Sequence, residues 1–153
     1  RNVFERNVIL PFEGVNMWDD VGLCTRVRFY TRGTAVINKG FYHYNRQNEQ
    51  STTRRPLLER AREQELCVSC IEDFFRKEDS HDKYRLFLSY LRLVAAEDLF
   101  YYEPDIWRQK FEGLKDDLWK LRKLYTTKQL FKFYMLGCGG IIGKLVWKRF
   151  WKR

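Results

Sequence analysis

Two adjacent carboxylates, Asp19 and Asp20, follow a tryptophan and open a segment with helical character. Acidic residues favour the first turn of a helix because they complement its dipole, by roughly 0.3–1 kcal/mol. That is the structural explanation of the pair. The chemical explanation is a general base, since a positioned carboxylate beside Trp18 and a second carboxylate can take a proton from a reacting hydroxyl. These residues alone do not decide between the two explanations.

Cys67 and Cys70 have the CxxC spacing that zinc sites and redox sites share. A zinc site would need two further ligands, and the histidines, His43 and His81, lie in other segments without ligand spacing. The cysteine pair also falls in the middle of a predicted helix, where redox motifs of the thioredoxin type do not lie. We therefore predict structural thiols in a reducing compartment.

The segment before residue 56 is predicted to contain one helix and a short β-hairpin. Asn16 is the expected N-cap of the helix, and Gly33 is its expected stop. The predicted strands are 34–38 and 41–44, joined by a turn at 39–40, and a polar loop covers 45–55. The residues expected on the buried side of the helix are Val21, Leu23, Cys24, Val27 and Phe29.

From Pro56 onward the apolar residues recur at intervals of three and four, which predicts helices. The first begins at Pro56, a residue suited to the first helical position, and ends before Asp79. Further helices are predicted over 81–99, from Pro104 to Leu124, over 127–136 and over about 141–152. The expected fold class is therefore an α/β fragment that is mostly α.

The order of motifs over residues 8–53 resembles the C-terminal third of the catalytic domain of family 2 glycosyltransferases. In that family a short loop of the form F-x-E-G precedes an acidic pair, Glu-Asp, at a helix start. A strand of the form I-N-x-x-x-Y-x-Y follows, and then a polar loop that ends in Ser-x-Thr or Ser-Thr. The corresponding segments of this chain are ILPFEGVNMWDDV and TAVINKGFYHYNRQNEQSTT.

The resemblance implies a nucleotide-sugar-dependent, inverting enzyme with the GT-A fold. Asp20 matches the family's general base, which takes the proton of the acceptor hydroxyl while that oxygen attacks the anomeric carbon. Asp19 stands where the family has Glu, and its side chain is shorter. Trp18 is a candidate platform on which the acceptor sugar stacks, with a core tryptophan as the equal alternative.

The resemblance also implies that the polar loop binds the sugar-nucleotide donor. His43 and Arg46 can donate hydrogen bonds to a diphosphate, and a guanidinium matches phosphate oxygens bidentately. Many relatives have arginine directly after Tyr-x-Tyr, whereas this chain has Asn45 there and Arg46 one position later. Ser51 belongs to a group of short polar side chains that would close over the donor. A packed or surface histidine is the alternative for His43.

The family's nucleotide-binding half, with an Asp-x-Asp motif for Mg²⁺ or Mn²⁺, would precede Arg1. No Asp-x-Asp occurs in this chain, and it begins without methionine. We therefore expect a portion of a longer enzyme that supplies the base and the acceptor side. On this interpretation the portion is inactive without the upstream half.

Charge is unevenly distributed along the chain. Ten of the 29 Lys and Arg lie after residue 117, whereas all 20 Asp and Glu lie before residue 118. Residues 1–117 therefore have a net charge of −1, and the overall +9 comes from the C-terminal segment. Aromatic residues alternate with the bases there, which favours attachment to an anionic membrane surface. The alternative is a helix packed on the N-terminal half, and no nucleic-acid-binding module is recognisable.

No membrane-spanning helix is predicted. The longest uncharged run near the C-terminus covers residues 133–143, which is 11 residues. A helix needs about 20 apolar residues to cross a bilayer.

We expect three parts: 1–55 from the acceptor side of the catalytic domain, a helical extension over 56–117, and a basic, aromatic-rich tail over 118–153. The expected function is transfer of a sugar from a nucleotide-sugar to a glycan or lipid-linked acceptor. The resemblance alone implies bacterial polysaccharide biosynthesis, in the cytoplasm or peripherally on the inner face of the cell membrane. The alternative function is a non-enzymatic helical module that binds a membrane surface or a partner through the tail.

Overall fold

The structure is a computed structural model, and it describes residues 2–40, 57–97 and 103–137 together with positions 145 and 149. The described residues form six α-helices and one 3-10 turn, and they contain no strand. The chain divides into two compact units, Arg1–Ile71 and Glu72–Arg153. The elements are α1 (Asn2–Asn7), α2 (Asp19–Tyr30), α3 (Leu57–Lys77), α4 (Arg85–Ala96), α5 (Pro104–Lys120), the 3-10 turn (Arg122–Leu124) and α6 (Thr127–Gly137).

The mostly helical character expected from the sequence is confirmed, but the strand predicted over 34–38 is wrong. These residues have no regular secondary structure, and the side chain of Val36 is 94% exposed. A strand is stabilised by backbone hydrogen bonds to a neighbour and by a covered apolar face. Residues 34–38 have no covered face, and their predicted partner, 41–44, lies outside the described residues. The described part of the chain therefore gives no support to the β-hairpin.

Helix α2 is shorter than predicted and buries a different face. Its N-cap position is Trp18 rather than Asn16, and its C-cap is Thr31, which is extended and ends the helix before Gly33. The residues that α2 buries are Gly22 and Arg26, which are four apart and share one face. Of the predicted buried set, Cys24 is exposed, and the other four side chains, Val21, Leu23, Val27 and Phe29, are partly exposed.

The helices after residue 56 match the sequence pattern more closely. The predicted start of α3 at Pro56 lies outside the described residues, and α3 ends at Lys77, just before Asp79, whose φ is +48°. Residues 81–84 form a turn, so α4 begins at Arg85 instead of His81. Helix α5 begins at Pro104 as predicted, because proline lacks the N–H that this position leaves unpaired. The predicted helix over 141–152 lies outside the described residues, except for positions 145 and 149. No helix in the described part is long and apolar enough to span a membrane.

In the second unit, α4 packs against α5 and α5 packs against α6. The ring of Phe75, at the end of α3, stacks on Tyr84 with 4.4 Å between centroids. Tyr125, which follows the 3-10 turn, contacts Phe133 of α6 edge to face at 5.3 Å. The largest fully buried side chains of this unit are Phe75, Phe133, Leu88, Leu93 and Leu118.

A buried carboxylate joins α4 to α5. Asp117 is 4% exposed, and its two oxygens lie 3.0 and 3.1 Å from one guanidinium nitrogen of Arg85. The buried hydroxyl of Ser89 also donates to Asp117, at 2.7 Å. A buried charge is tolerated only where it is paired and hydrogen-bonded, and both conditions hold here. The pairing therefore fixes which faces of α4 and α5 meet.

Replacing Asp117 with alanine is expected to lower the free energy of unfolding by about 2 kcal/mol, because Ser89 is left buried without its acceptor. Asp116 is the matched control, since it is the adjacent carboxylate on the same helix and is exposed. Asp116→Ala is expected to change stability by less than about 0.5 kcal/mol. Urea unfolding followed by circular dichroism measures both variants. Equal losses in the two variants would contradict a specific role for Asp117.

Candidate functional site at the start of α2

The carboxylates of Asp19 and Asp20 lie in the first turn of α2, and both are exposed. One oxygen of Asp20 accepts a hydrogen bond of 2.8 Å from the backbone N–H of Val21. The first N–H groups of a helix have no partner within the helix, so this contact satisfies one of them. The pair therefore combines a structural contact at the helix start with carboxylates that remain open to solvent.

The residue before the acid pair has an unusual backbone. Trp18 has φ +65° and ψ +23°, in the left-handed region that a bulky side chain rarely adopts. Its carbonyl oxygen accepts hydrogen bonds from the Gly22 N–H at 2.9 Å and from the Cys67 thiol at 3.1 Å. Strained backbone of this kind persists only when the surroundings hold it, and it concentrates at functional sites. The Gly22 bond is the first hydrogen bond of α2 itself, and the Cys67 bond joins the start of α2 to the middle of α3.

Cys67 is fully buried, and the structure places it with Cys70 in the middle of α3, as predicted, with both thiols free. Burial, and after it the neighbouring Cys70, raises the pKa of the Cys67 thiol to about 11. The thiol is therefore protonated near neutral pH and able to donate to Trp18. Among the described residues, no group of three or more His, Cys, Asp or Glu is arranged to hold a metal ion.

A buried arginine ties the preceding loop to α2. The guanidinium of Arg26 lies 3.9 Å from the ring centroid of Phe12, and one of its nitrogens donates to the carbonyl of Leu10. Its Nε donates to the Gly22 carbonyl at 3.3 Å. Burial lowers the pKa of Arg26, which is the expected effect of removing a cation from water. These contacts hold residues 10–12 along the same face of α2 that contains Gly22.

Three of the predicted site residues are described, and they are adjacent in the chain. Trp18 is partly exposed and directly precedes the exposed Asp19 and Asp20. The other three predicted site residues, His43, Arg46 and Ser51, lie outside the described residues. The adjacency of Trp18, Asp19 and Asp20 follows from the sequence itself, and both the acceptor-side and the donor-side assignments stay predictions.

Sequence reasoning missed the residues that support the acid pair. Gly22 carries a signal in the sequence, because a glycine in a helix interior is unfavourable and needs a packing reason. Arg26 lies four residues later and therefore on the same helix face. The sequence predicts a structural thiol at Cys67, but nothing in it pairs Cys67 with a residue 49 positions earlier.

The site has exposed carboxylates, Asp19 and Asp20, at a helix start that is hydrogen-bonded to α3. A general base must approach the hydroxyl it deprotonates to about 3 Å and must be held there by the scaffold. The hydrogen bonds at Trp18 and Arg26 supply that support on the buried side of α2.

None of the protein-family models, curated proteins or solved structures compared with this chain matches it.

Replacing Gly22 with alanine is expected to destabilise the protein by about 1 kcal/mol, although alanine is the better helix former. A Cβ at this position would lie 2.8 and 2.9 Å from two ring carbons of Phe12 and 3.4 Å from the Cys67 sulfur. Overpacking costs about 1–3 kcal/mol, which exceeds the gain of about 1 kcal/mol in helix propensity.

Gly113 in α5 is the matched control, because a Cβ there would meet no atom within 4 Å. Gly113→Ala is expected to stabilise the protein by about 0.5–1 kcal/mol. Urea unfolding curves of both variants give the comparison. Stabilisation by Gly22→Ala of the same size as by Gly113→Ala would show that Phe12 does not pack against α2.

Proposed function

We propose that this chain is the acceptor-side portion of an inverting, nucleotide-sugar-dependent glycosyltransferase of family 2 with the GT-A fold. The proposal draws on the order of motifs over residues 8–53. The observation that supports it most is the exposed acid pair at the start of α2. The carbonyl of the preceding residue, Trp18, accepts hydrogen bonds from Gly22 and from Cys67 of α3.

Asp20 is the proposed general base. Its carboxylate accepts the proton of the acceptor hydroxyl while that oxygen attacks the anomeric carbon of the donor sugar. The new bond joins the acceptor oxygen to the anomeric carbon, and the bond from that carbon to the diphosphate breaks on the opposite face. The electron pair leaves with the nucleoside diphosphate, and the sugar is inverted. Asp20 ends the step protonated.

Asp19 and Trp18 have different proposed roles. Successive residues on a helix point about 100° apart, so Asp19 and Asp20 cannot both face one hydroxyl. We assign the proton transfer to Asp20 on the match to the family pattern, and Asp19 contributes negative charge beside it. The ring of Trp18 is the proposed surface on which the acceptor sugar stacks.

The donor side of the proposal rests on residues outside the described part of the chain. His43 and Arg46 would donate hydrogen bonds to the diphosphate, and Ser51 would contribute to the loop over the donor. In this family an upstream Asp-x-Asp binds Mg²⁺ or Mn²⁺, which neutralises the leaving diphosphate. No residue of this chain is assigned to the cation. The proposed acceptor is a glycan or a lipid-linked glycan of bacterial polysaccharide biosynthesis, used in the cytoplasm at the inner face of the membrane.

Asp20→Asn is expected to lower turnover by about 10²- to 10⁴-fold, because an amide cannot accept the hydroxyl proton. The measurement uses the protein that includes the residues upstream of Arg1. Release of nucleoside diphosphate is followed with a panel of UDP-, GDP- and dTDP-sugars and a membrane lipid extract as acceptor. Binding of the free nucleoside diphosphate, measured by calorimetry, is expected to stay within about twofold, because Asp20 does not touch the donor phosphate.

Asp19→Asn is the matched control, since it removes the same charge one position earlier. Its turnover is expected to fall far less than that of Asp20→Asn, and circular dichroism should show both variants folded. An active Asp20→Asn variant would disprove the assignment of the base. If the wild-type protein releases no nucleoside diphosphate with any donor, the glycosyltransferase proposal itself is wrong.

A further inference from the structure

Three large apolar side chains, one each in α5, the 3-10 turn and α6, are open to solvent. Trp119 is 59% exposed, Leu124 is 66% exposed and Phe131 is 56% exposed. The same part of the chain buries Leu118 and Phe133 almost completely. The exposed rings are therefore additional to the core that joins α5 to α6. We call the set Trp119, Leu124, Phe131 and Tyr134, together with the bases Arg122 and Lys123, the basic aromatic surface.

Helix periodicity separates the exposed rings from the core. Phe131 and Tyr134 are three residues apart and share one face of α6, while the buried Phe133 lies on another. On α5, the buried residues Leu114 and Leu118 are four apart and share one face. Trp119 points about 100° away from Leu118, on the side of α5 that the core does not use.

Basic groups accompany these rings. The Arg122 guanidinium lies 4.8 Å from the centroid of the Trp119 ring and donates to the Trp119 carbonyl at 2.9 Å. Lys123 follows it directly and is exposed. Residues 118–153 contain ten Lys and Arg and no acid, whereas residues 1–117 have a net charge of −1. The net positive charge of the chain therefore comes from the segment that contains this surface, which favours an anionic partner.

We propose that the basic aromatic surface docks on an anionic lipid bilayer. Aromatic and aliphatic side chains bury themselves at the headgroup boundary, and the bases beside them meet the lipid phosphates. A phosphate polymer such as nucleic acid would satisfy the bases, but it would leave Leu124 and Phe131 without an apolar environment. The inference does not depend on the glycosyltransferase proposal, because it uses neither Asp20 nor the start of α2.

The experiment is co-sedimentation of the whole chain with vesicles of phosphatidylcholine, with and without phosphatidylserine. Binding is expected to require phosphatidylserine and to weaken as salt is added, since salt screens the bases from the lipid. The Trp119→Ser/Phe131→Ser double variant should bind at least about tenfold more weakly, because it removes the apolar contacts. Lys123→Gln should weaken binding by about fivefold, the effect of one base near the surface.

Two matched variants control for non-specific effects. Val36→Ser/Ile37→Ser removes two exposed apolar side chains elsewhere, and Lys39→Gln removes an exposed base of the first unit. Both should bind phosphatidylserine vesicles as the wild-type chain does. Circular dichroism establishes that every variant is folded.

Several results would overturn the docking proposal. They are wild-type binding that does not depend on phosphatidylserine, an absence of vesicle binding, or a Trp119→Ser/Phe131→Ser variant that binds within twofold of wild type. An equal loss in Val36→Ser/Ile37→Ser would also overturn it. Binding of a duplex DNA oligonucleotide without binding of the vesicles would assign the surface to nucleic acid instead.

Discussion

A buried thiol and a backbone amide both donate to the carbonyl oxygen of Trp18, and the position of the acid pair depends on this contact. The carbonyl is the last one before α2, so its direction sets where the first turn begins. Trp18 makes these contacts from a left-handed backbone, which is unfavourable without compensation. Because Cys67 is fixed in the middle of α3, α2 cannot shift along its axis without losing this bond. The exposed carboxylates of Asp19 and Asp20 therefore lie in a first helical turn whose position is fixed by the bond to Cys67.

The two units bury charge in opposite ways. In the first, the buried cation of Arg26 is surrounded by two carbonyls and an aromatic ring. In the second, the buried carboxylates of Glu72 and Asp117 are paired with the exposed arginines Arg92 and Arg85. Each buried ion has a partner that offsets its desolvation: carbonyl oxygens for Arg26, and arginine guanidinium groups for Glu72 and Asp117. An arginine satisfied by carbonyls orients a loop on a helix, whereas a carboxylate bound to an arginine fixes the faces that two helices share. This difference matches the roles of the units, since the first positions the acid pair and the second forms a helical core.

The sequence predicted the four described helices after residue 56 because their apolar residues repeat at helical spacing, and Pro104 marked the start of α5 correctly. It misplaced the start of α2, since Asn16 satisfies the usual N-cap preference while the true start depends on Cys67, a long-range contact. It predicted a strand over 34–38 from composition, but no apolar surface covers those side chains. At the candidate site the acid pair was visible from residue types alone. Its support by Gly22, Arg26 and Cys67 was not, because contacts between distant segments leave no local pattern.

The most direct test of this account is the rate at which iodoacetamide alkylates each cysteine of the folded chain, read by mass spectrometry of peptides. Only the thiolate reacts, so a pKa of about 11 and full burial should make Cys67 at least about 100-fold slower than an ordinary thiol near pH 8. Its rate should still be rising at the highest pH at which the protein stays folded. Cys24, exposed on α2, is the internal control and should react well before Cys67. If Cys67 is alkylated as fast as Cys24, the thiol is not buried against Trp18, and the support proposed for the acid pair does not exist.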